Sequence, residues 1–472
     1  MNRGAGTKLA VLLLAILLNN VIWAIALPYN AGPDELDHFG LARFIHDNQR
    51  IPILDKDLSF YLMDSDLKQP VPKFHDPATG RTLTYYDLTH GFELRGVYSI
   101  MPPLPYILSA MGMGIIPADH PKGPLLGARL LMILSGVGLA LMTWLASCYI
   151  WPGRDELALT AAAVAGFLPM ISFLSGCVNA DIFAAFAVAF ALAVAARGQR
   201  DGWTRRDALG LGLALGVVAM SRQNAYSVIP LTLLLPLAAK ADVRTKIGRL
   251  LMAGLPGLLL GFIWYGHNKL LYGDPMGLAY ERELRRQFVG SLPPEVLQNT
   301  YMMILSPLAE RGYGLGVLWE SGWFGLTLRS LFGEFGWREV MLPEPLYLAA
   351  LALALAALAG WIRQLFAPSA QEKGWGGNRL LGIVMLLSAA GCLALSIYRS
   401  LNYDWQPQGR YLAPALLPLA LFVARGVQSV FSGETAQRIC LRILFYFMLL
   451  SNLYSLYAVV LPYYMAGTSY AP

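Results

Sequence analysis

Three carboxylates and an imidazole crowd into one short run, Pro33-Asp34-Glu35-Leu36-Asp37-His38-Phe39-Gly40, directly after the first hydrophobic stretch. Charge beside hydrocarbon is costly and persists mostly where it serves an ion, a substrate or a proton. An ionised carboxylate within hydrogen-bond reach of a hydroxyl acts as a general base, and Asp34 suits that task. Asp37 or His38 would orient it or help hold a divalent cation, because clustered carboxylates suit hard cations. The competing reading of the same residues is a capped interfacial helix with solvated acids.

Such a helix is expected to begin with Pro33 at its first position, where the missing N–H costs nothing. Asp34 and Glu35 would then fall in the first turn, where the helix dipole favours anions. Asp37 and His38 follow at helical spacing and share the face of Asp34. Leu36, Phe39, Phe44 and Ile45 supply an apolar face for the interface.

Two arginines stand at the edges of hydrophobic stretches, where a fixed cation could meet an anionic group. Arg410 stands in Gln408-Gly409-Arg410-Tyr411, just ahead of a hydrophobic stretch, with a glycine that permits close backbone approach. Arginine binds phosphate oxygens bidentately, and the alternative is interfacial anchoring by Arg410 and Tyr411. Arg222 lies in the polar break Ser221-Arg222-Gln223-Asn224. Asp181, in Asn179-Ala180-Asp181, is a candidate to face the same cavity or to pair with the in-span Arg129. Glu334 and Trp337 fall in a second polar stretch, where Trp337 could stack on a ligand or sit in the aromatic belt. His267 and Lys269 read as anchors, and His75 and His90 as lone loop histidines.

The elements that would position these residues are membrane spans. The 472 residues are 56% apolar and 14% charged, against about 25% charged in soluble domains. The chain therefore reads as an all-α polytopic membrane protein. A first span over Leu9–Leu27 is followed by apolar stretches near 125–150, 157–178, 180–197, 208–222, 225–240, 250–271, 345–364, 379–398, 411–425 and 440–463. That gives about eleven spans in a single transmembrane domain. Leu104 to Pro117 is apolar but short. The arginines at 197, 200, 205 and 206, and the basic group Lys240, Arg244, Lys246 and Arg249, belong on the cytoplasmic side with Arg3 and Lys8. Parity holds only if 104–117 does not cross, so it should lie at the outer surface as an interfacial helix. Two large extracytoplasmic loops result, over about 28–124 and 272–344. The four cysteines fall in apolar stretches and read as small buried hydrophobes. The net charge of +6 is explained by loop arginines that set orientation and implies no nucleic-acid partner.

The run PDELDHFG followed by ARFIHDNQRIP resembles the first-loop signature of GT-C glycosyltransferases. Protein O-mannosyltransferases carry a similar Asp-Glu followed by a His, and the lipid A aminoarabinose transferase is a further relative in kind. The resemblance is closer to a bacterial family of membrane proteins of unknown function within that superfamily. Its features recur in order: Met101-Pro102-Pro103-Leu104-Pro105-Tyr106, Gly127-Ala128-Arg129-Leu130-Leu131, Phe167-Leu168-Pro169, Ser175 to Asp181, Leu271 to Pro275, Phe332 to Trp337, and Gln408 to Leu412.

The resemblance implies a GT-C-like bundle with interfacial helices in the first outer loop. It implies an inverting transferase that moves a sugar from a polyprenyl-phosphate carrier to an extracytoplasmic glycan, lipid or protein. Asp34 would be the catalytic base and Glu35 its catalytic neighbour. The setting would be a bacterial cytoplasmic membrane, in contact with membrane lipids. Some members carry lysines for the carrier phosphate. Here Met101 precedes the prolines, Lys73 lies far upstream, and Arg222 stands where some relatives have lysine. Two other functions fit the same sequence: a lipid-linked glycan polymerase or ligase, and a transporter or flippase.

Overall fold

The computed structural model describes residues 3–53, 57, 73–75, 82–84, 97–117, 122–283, 315–336, 338–366, 378–403 and 405–467. Within them the chain is a helical bundle with two small antiparallel hairpins. The first long helix, α1 (Arg3–Ala26), leads into α2 (Glu35–Asn48). Strands β1 (Lys73–His75) and β2 (Thr82–Thr84) pair, and a short helix α3 (Leu104–Met113) follows. Next come α4 (Gly123–Ile150), α5 (Asp155–Phe167), α6 (Pro169–Ser175), α7 (Ala180–Asp201), α8 (Arg205–Ala219), α9 (Val228–Ala238) and α10 (Val243–Tyr272). The second polar stretch holds α11 (Gly316–Glu320), α12 (Trp323–Gly333) and the hairpin β3 (Glu334–Phe335) with β4 (Val340–Met341). Helices α13 (Glu344–Leu365), α14 (Arg379–Asn402), α15 (Leu416–Gln428), α16 (Glu434–Tyr454) and α17 (Leu461–Gly467) complete the chain.

Each of the eleven apolar stretches is helical, but they are not equal as spans. Among the described residues eight helices are long and apolar enough to cross a membrane, or nine if the bent pair α5–α6 is one span. The stretches at 208–222 and 225–240 fall short: α8 has 15 residues and α9 only 11. At 1.5 Å per residue, α9 rises about 16 Å, roughly half of a hydrocarbon core. The polar break at 221–224 and the ending of α9 at Ala238 account for the lost length.

α3 is shorter still. Its ten residues rise about 15 Å, and it lies across the start of α4. Gly112 and Gly127 face each other so closely that a methyl group on either would enter the other's backbone. Among the described residues α2, α3 and the start of α4 therefore lie together at one end of the bundle.

Pro169 breaks α5 from α6 with a 60° bend. The freed polar groups are satisfied from neighbouring helices, as a break in hydrocarbon demands. Asn452 Nδ2 donates to Phe167 O (3.1 Å) and Ser172 Oγ (2.6 Å), and its Oδ1 accepts from Trp23 Nε1 (3.2 Å). Asn19 Nδ2 also donates to Ser172 Oγ (3.0 Å). This buried knot ties α1, α6 and α16 together. Asn452→Leu strands a carbonyl and an indole N–H inside the bundle and should cost about 1–3 kcal/mol. A detergent-phase unfolding curve of the variant beside the wild type checks this.

One end of the bundle collects the chemistry-bearing residues: the end of α1, the starts of α4 and α7, the α8–α9 turn and the segment before α15. Asn268 Nδ2 of α10 donates to Ile100 O (3.0 Å), and Gln223 Nε2 to Met276 O (3.2 Å). Arg399 Nη2 donates to the buried Glu281 (2.8 Å), which ties the stretch after α10 to the segment leading to Arg410.

Candidate active site

Asp34 does not sit inside a helix. α2 begins at Glu35, and Asp34 is its N-cap, in the left-handed region at φ 60°. The expected start at Pro33 is thus corrected: the helix begins later, and Asp34 falls before its first turn. Aspartate tolerates this conformation better than most residues, yet it is strained, and such strain collects at functional sites. Its carboxylate Oδ2 accepts from Arg410 Nη2 at 2.6 Å, and Arg410 Nη1 donates to Pro33 O at 3.1 Å. The Asp34 side chain keeps 18% exposure while that of Arg410 keeps 4%. The carboxylate is therefore the accessible member of the pair.

Glu35 holds that conformation in place. It is fully buried, and each oxygen accepts twice. Oε1 takes Arg129 Nε and Val178 N, both at 2.8 Å, and Oε2 takes Arg129 Nη2 (2.7 Å) and Asn30 N (3.1 Å). Arg129 spends its remaining donors on the carbonyls of Ala24, Leu27 and Pro28, at 2.8–2.9 Å. These carbonyls end α1, so one guanidinium caps α1 and anchors α2. Gly32 lies against Cys177, with no room for a side chain. The pairing of Arg129 with Asp181 is thereby corrected: its partner is Glu35. Glu35, expected as the catalytic neighbour of Asp34, has both oxygens engaged by Arg129, Asn30 and Val178.

Asp181 instead meets Arg222. It is buried near the N-terminus of α7, where the Asn179 side chain caps the helix. Its Oδ1 lies 2.6 Å from Arg222 Nη1, and its Oδ2 4.0 Å from Arg410 Nε. The charges alternate in space: Asp34, Arg410, Asp181, Arg222. Tyr411 packs under both arginines, with guanidinium carbons 5.2 Å (Arg222) and 4.9 Å (Arg410) from its ring centre. Its hydroxyl accepts from Arg410 Nη2 at 2.9 Å, and its carbonyl accepts from Asn224 Nδ2 at 2.9 Å. Gly409 lets this segment pack directly on α12, since a methyl there would strike the Leu331 backbone. Four residues spread over 376 positions thus converge.

His38 lies one turn beyond Asp34 and is fully buried. Its Nδ1 is 2.9 Å from Tyr106 Oη of α3, with the two rings stacked at 5.6 Å. Burial first, then the Arg222 and Arg410 charges, lower its pKa to about 3 against an opposing pull from Asp34. The unfolded chain takes up a proton near pH 6.5 and the folded chain does not. Stability from this group is complete above 6.5 and is lost as pH falls from 6.5 towards 3. His38→Gln should therefore show a smaller fall in melting temperature between pH 7 and pH 5 than the wild type.

Asp37 is half-buried on the same helix. Among the described residues no group of three His, Cys, Asp or Glu side chains is arranged to hold a metal ion. Asp37 and His38 therefore gain no support as cation ligands. Glu334 is buried between Arg338 (2.8 Å) and Arg329 (3.6 Å), its own hairpin's neighbours. That hairpin turns at Gly336, close to Tyr464, whose hydroxyl donates to Ala31 O at 3.4 Å. Trp337 and His90 lie outside the described residues, and His75 stands in β1. His267 stacks on Trp264 at 5.1 Å, and Lys269 caps Gly273 O at 2.5 Å, both structural contacts. Tyr106 had no expected role, although the proline-rich run that ends on it was a visible signal.

An apolar cavity of about 610 Å³ opens between α8, α9 and α10, lined by Leu215, Ala219, Leu233, Gly254, Leu258 and Tyr265 among others. From Gly254 to Tyr265 it follows α10 for about 16 Å. Tyr226 and Tyr265 hydroxyls touch each other at its end, and both donate to Ala219 O. Ala219, at the end of α8, lines the cavity and is three residues before Arg222 in the chain.

Residues 17–420 match the family model of predicted membrane proteins DUF2142, and the chain belongs to that family. It is an all-α polytopic membrane protein. No curated protein matches. Among solved structures, ArnT from Cupriavidus metallidurans bound to undecaprenyl phosphate is similar, with 14% identity and a TM-score of 0.49 over 89% of this chain and 60% of that one. The apo oligosaccharyltransferase of Archaeoglobus fulgidus is similar with 13% identity and a TM-score of 0.48, over 96% of this chain and 55% of that one. The chain thus spans little more than half the length of either.

Proposed function

We propose that this protein is an inverting membrane glycosyltransferase that takes a sugar from a polyprenyl-phosphate carrier. The acceptor is an extracytoplasmic glycan, lipid or protein, and the site faces the exterior of a bacterial cytoplasmic membrane. One observation carries the reading. An accessible carboxylate, Asp34, stands in an array with two largely buried arginines, and an apolar groove lies between α8, α9 and α10, the helices on either side of Arg222. The positive-inside pattern of the other end supports the sidedness.

In this reading Asp34 takes the proton of the acceptor hydroxyl as that oxygen attacks the anomeric carbon. The bond from that carbon to the phosphate oxygen breaks on the opposite face, so configuration inverts. Arg410 and Arg222 offset the charge left on the polyprenyl phosphate. Fixed charges in a partly dry site are worth about 3–4 kcal/mol each to a transition state. Arg410 has two tasks. Without donor it clasps Asp34, and an arriving phosphate draws its guanidinium and opens the carboxylate to the acceptor.

The test is transfer in proteoliposomes from a panel of polyprenyl-phosphate sugars, with the anomeric configuration of the product read by NMR. A covalent product of inverted configuration supports the proposal. Transport of the lipid or sugar without any covalent product would establish the transporter reading. A reaction restricted to pyrophosphate-linked donors would establish a polymerase or ligase.

A further inference from the structure

The charged array accounts for Asp34, Asp181, Arg222 and Arg410. It leaves unused the neutral pair beside them. Tyr106 is 2% exposed and His38 fully buried, yet they come from different elements, α3 and α2, joined by one hydrogen bond of 2.9 Å and a near-parallel stack at 17°. His38 N donates to Asp34 O at 3.0 Å, so the imidazole and the strained carboxylate share one turn of backbone. α3 in turn is fixed on α4 by the Gly112–Gly127 contact. Tyr106 therefore transmits a fixed position from the bundle to the turn that carries Asp34.

We propose that Tyr106 is a positioning residue of this site: its hydroxyl donates to His38 Nδ1, locks the imidazole in one plane with its proton on Nε2, and leaves the Asp34 carboxylate to meet the acceptor hydroxyl. This rests on the transferase reading above. The groups around the pair are Asp34 and Asp37 on α2, Asp181 on α7, Arg222 in the α8–α9 turn and Arg410 before α15. Burial and the Arg222 and Arg410 charges keep His38 uncharged, and burial raises the Tyr106 phenol, so both partners are neutral across the working range. A cationic imidazole here would pair with Asp34 and withdraw it from the reaction. Removing the Tyr106 hydroxyl takes away a hydrogen bond that favours the neutral imidazole and so favours that charge.

The experiment uses the full chain in nanodiscs and two readouts. Tyr106→Phe should lower kcat at least tenfold at pH 6, leave the donor KM within threefold, and recover as pH rises to 8. The double variant Tyr106→Phe with His38→Gln should lose that pH dependence. Independently, ¹⁵N-histidine NMR, with His38 assigned by His38→Gln, should show one neutral tautomer protonated on Nε2 from pH 5 to 8. In Tyr106→Phe the same signal should titrate within that range. A wild-type His38 that titrates near 6.5 or carries its proton on Nδ1 overturns the inference. So does a Tyr106→Phe profile parallel to the wild type with only a lower melting temperature. The expected spectra with no transfer from any donor by the wild type would instead refute the transferase reading, and with it the role of Tyr106.

Discussion

Asp34→Asn should lower transfer by about 10²–10⁴-fold, the range that general-base catalysis supplies. That is about 3–5 kcal/mol of transition-state free energy. The substitution is close to isosteric, and its amide oxygen still accepts from Arg410, so the array and the fold should survive. The loss should therefore appear in kcat, with the donor KM changed little, because Arg410 and Arg222 remain to hold phosphate. Steady-state kinetics over a range of donor concentrations separates the two. Wild-type kcat in the Asp34→Asn variant would remove Asp34 from its role and leave the Asp34–Arg410 pair as a structural contact.

Arg129→Met should destabilise the protein by about 3–5 kcal/mol, the cost of leaving a buried partner charge uncompensated. Here the stranded group is Glu35, which is fully buried. The carbonyls of Ala24, Leu27 and Pro28 lose their donors in the same step. Replacing both charges, with Arg129→Met and Glu35→Leu together, should recover part of the loss, because an apolar pair can replace a buried ion pair at small cost. Recovery should be incomplete, since the α1 carbonyls and the N–H groups of Asn30 and Val178 still lack partners. Thermal unfolding of the wild type, Arg129→Met, Glu35→Leu and the double variant in one detergent measures this cycle. A single-variant cost below about 1 kcal/mol would contradict the hub drawn here.

The acidic run was legible as a site because charge at a bilayer edge has few other uses. What it could not reveal was the division of labour between Asp34 and Glu35, adjacent residues of the same chemistry. One is strained and accessible, the other saturated and buried, and the difference depends on Arg129, 94 positions away. Arg222, Asp181 and Arg410 were each readable as candidates at the ends of hydrophobic stretches. Their pairing was not, because it arises from the packing of α7, the α8–α9 turn and the segment before α15. All eleven apolar stretches were legible from composition, but the shortness of α8 and α9 was not, since apolar composition does not report where a helix ends. Glu334 looked like a site residue from its motif, yet its arginine neighbours at 329 and 338 already offered it partners.

The most direct measurement is a structure of the protein with a polyprenyl-phosphate sugar bound. The account predicts the phosphate between Arg222 and Arg410, the lipid chain in the cavity along α10, and the anomeric carbon facing Asp34. A head group seated away from these arginines, with Arg410 still clasped to Asp34, would contradict it.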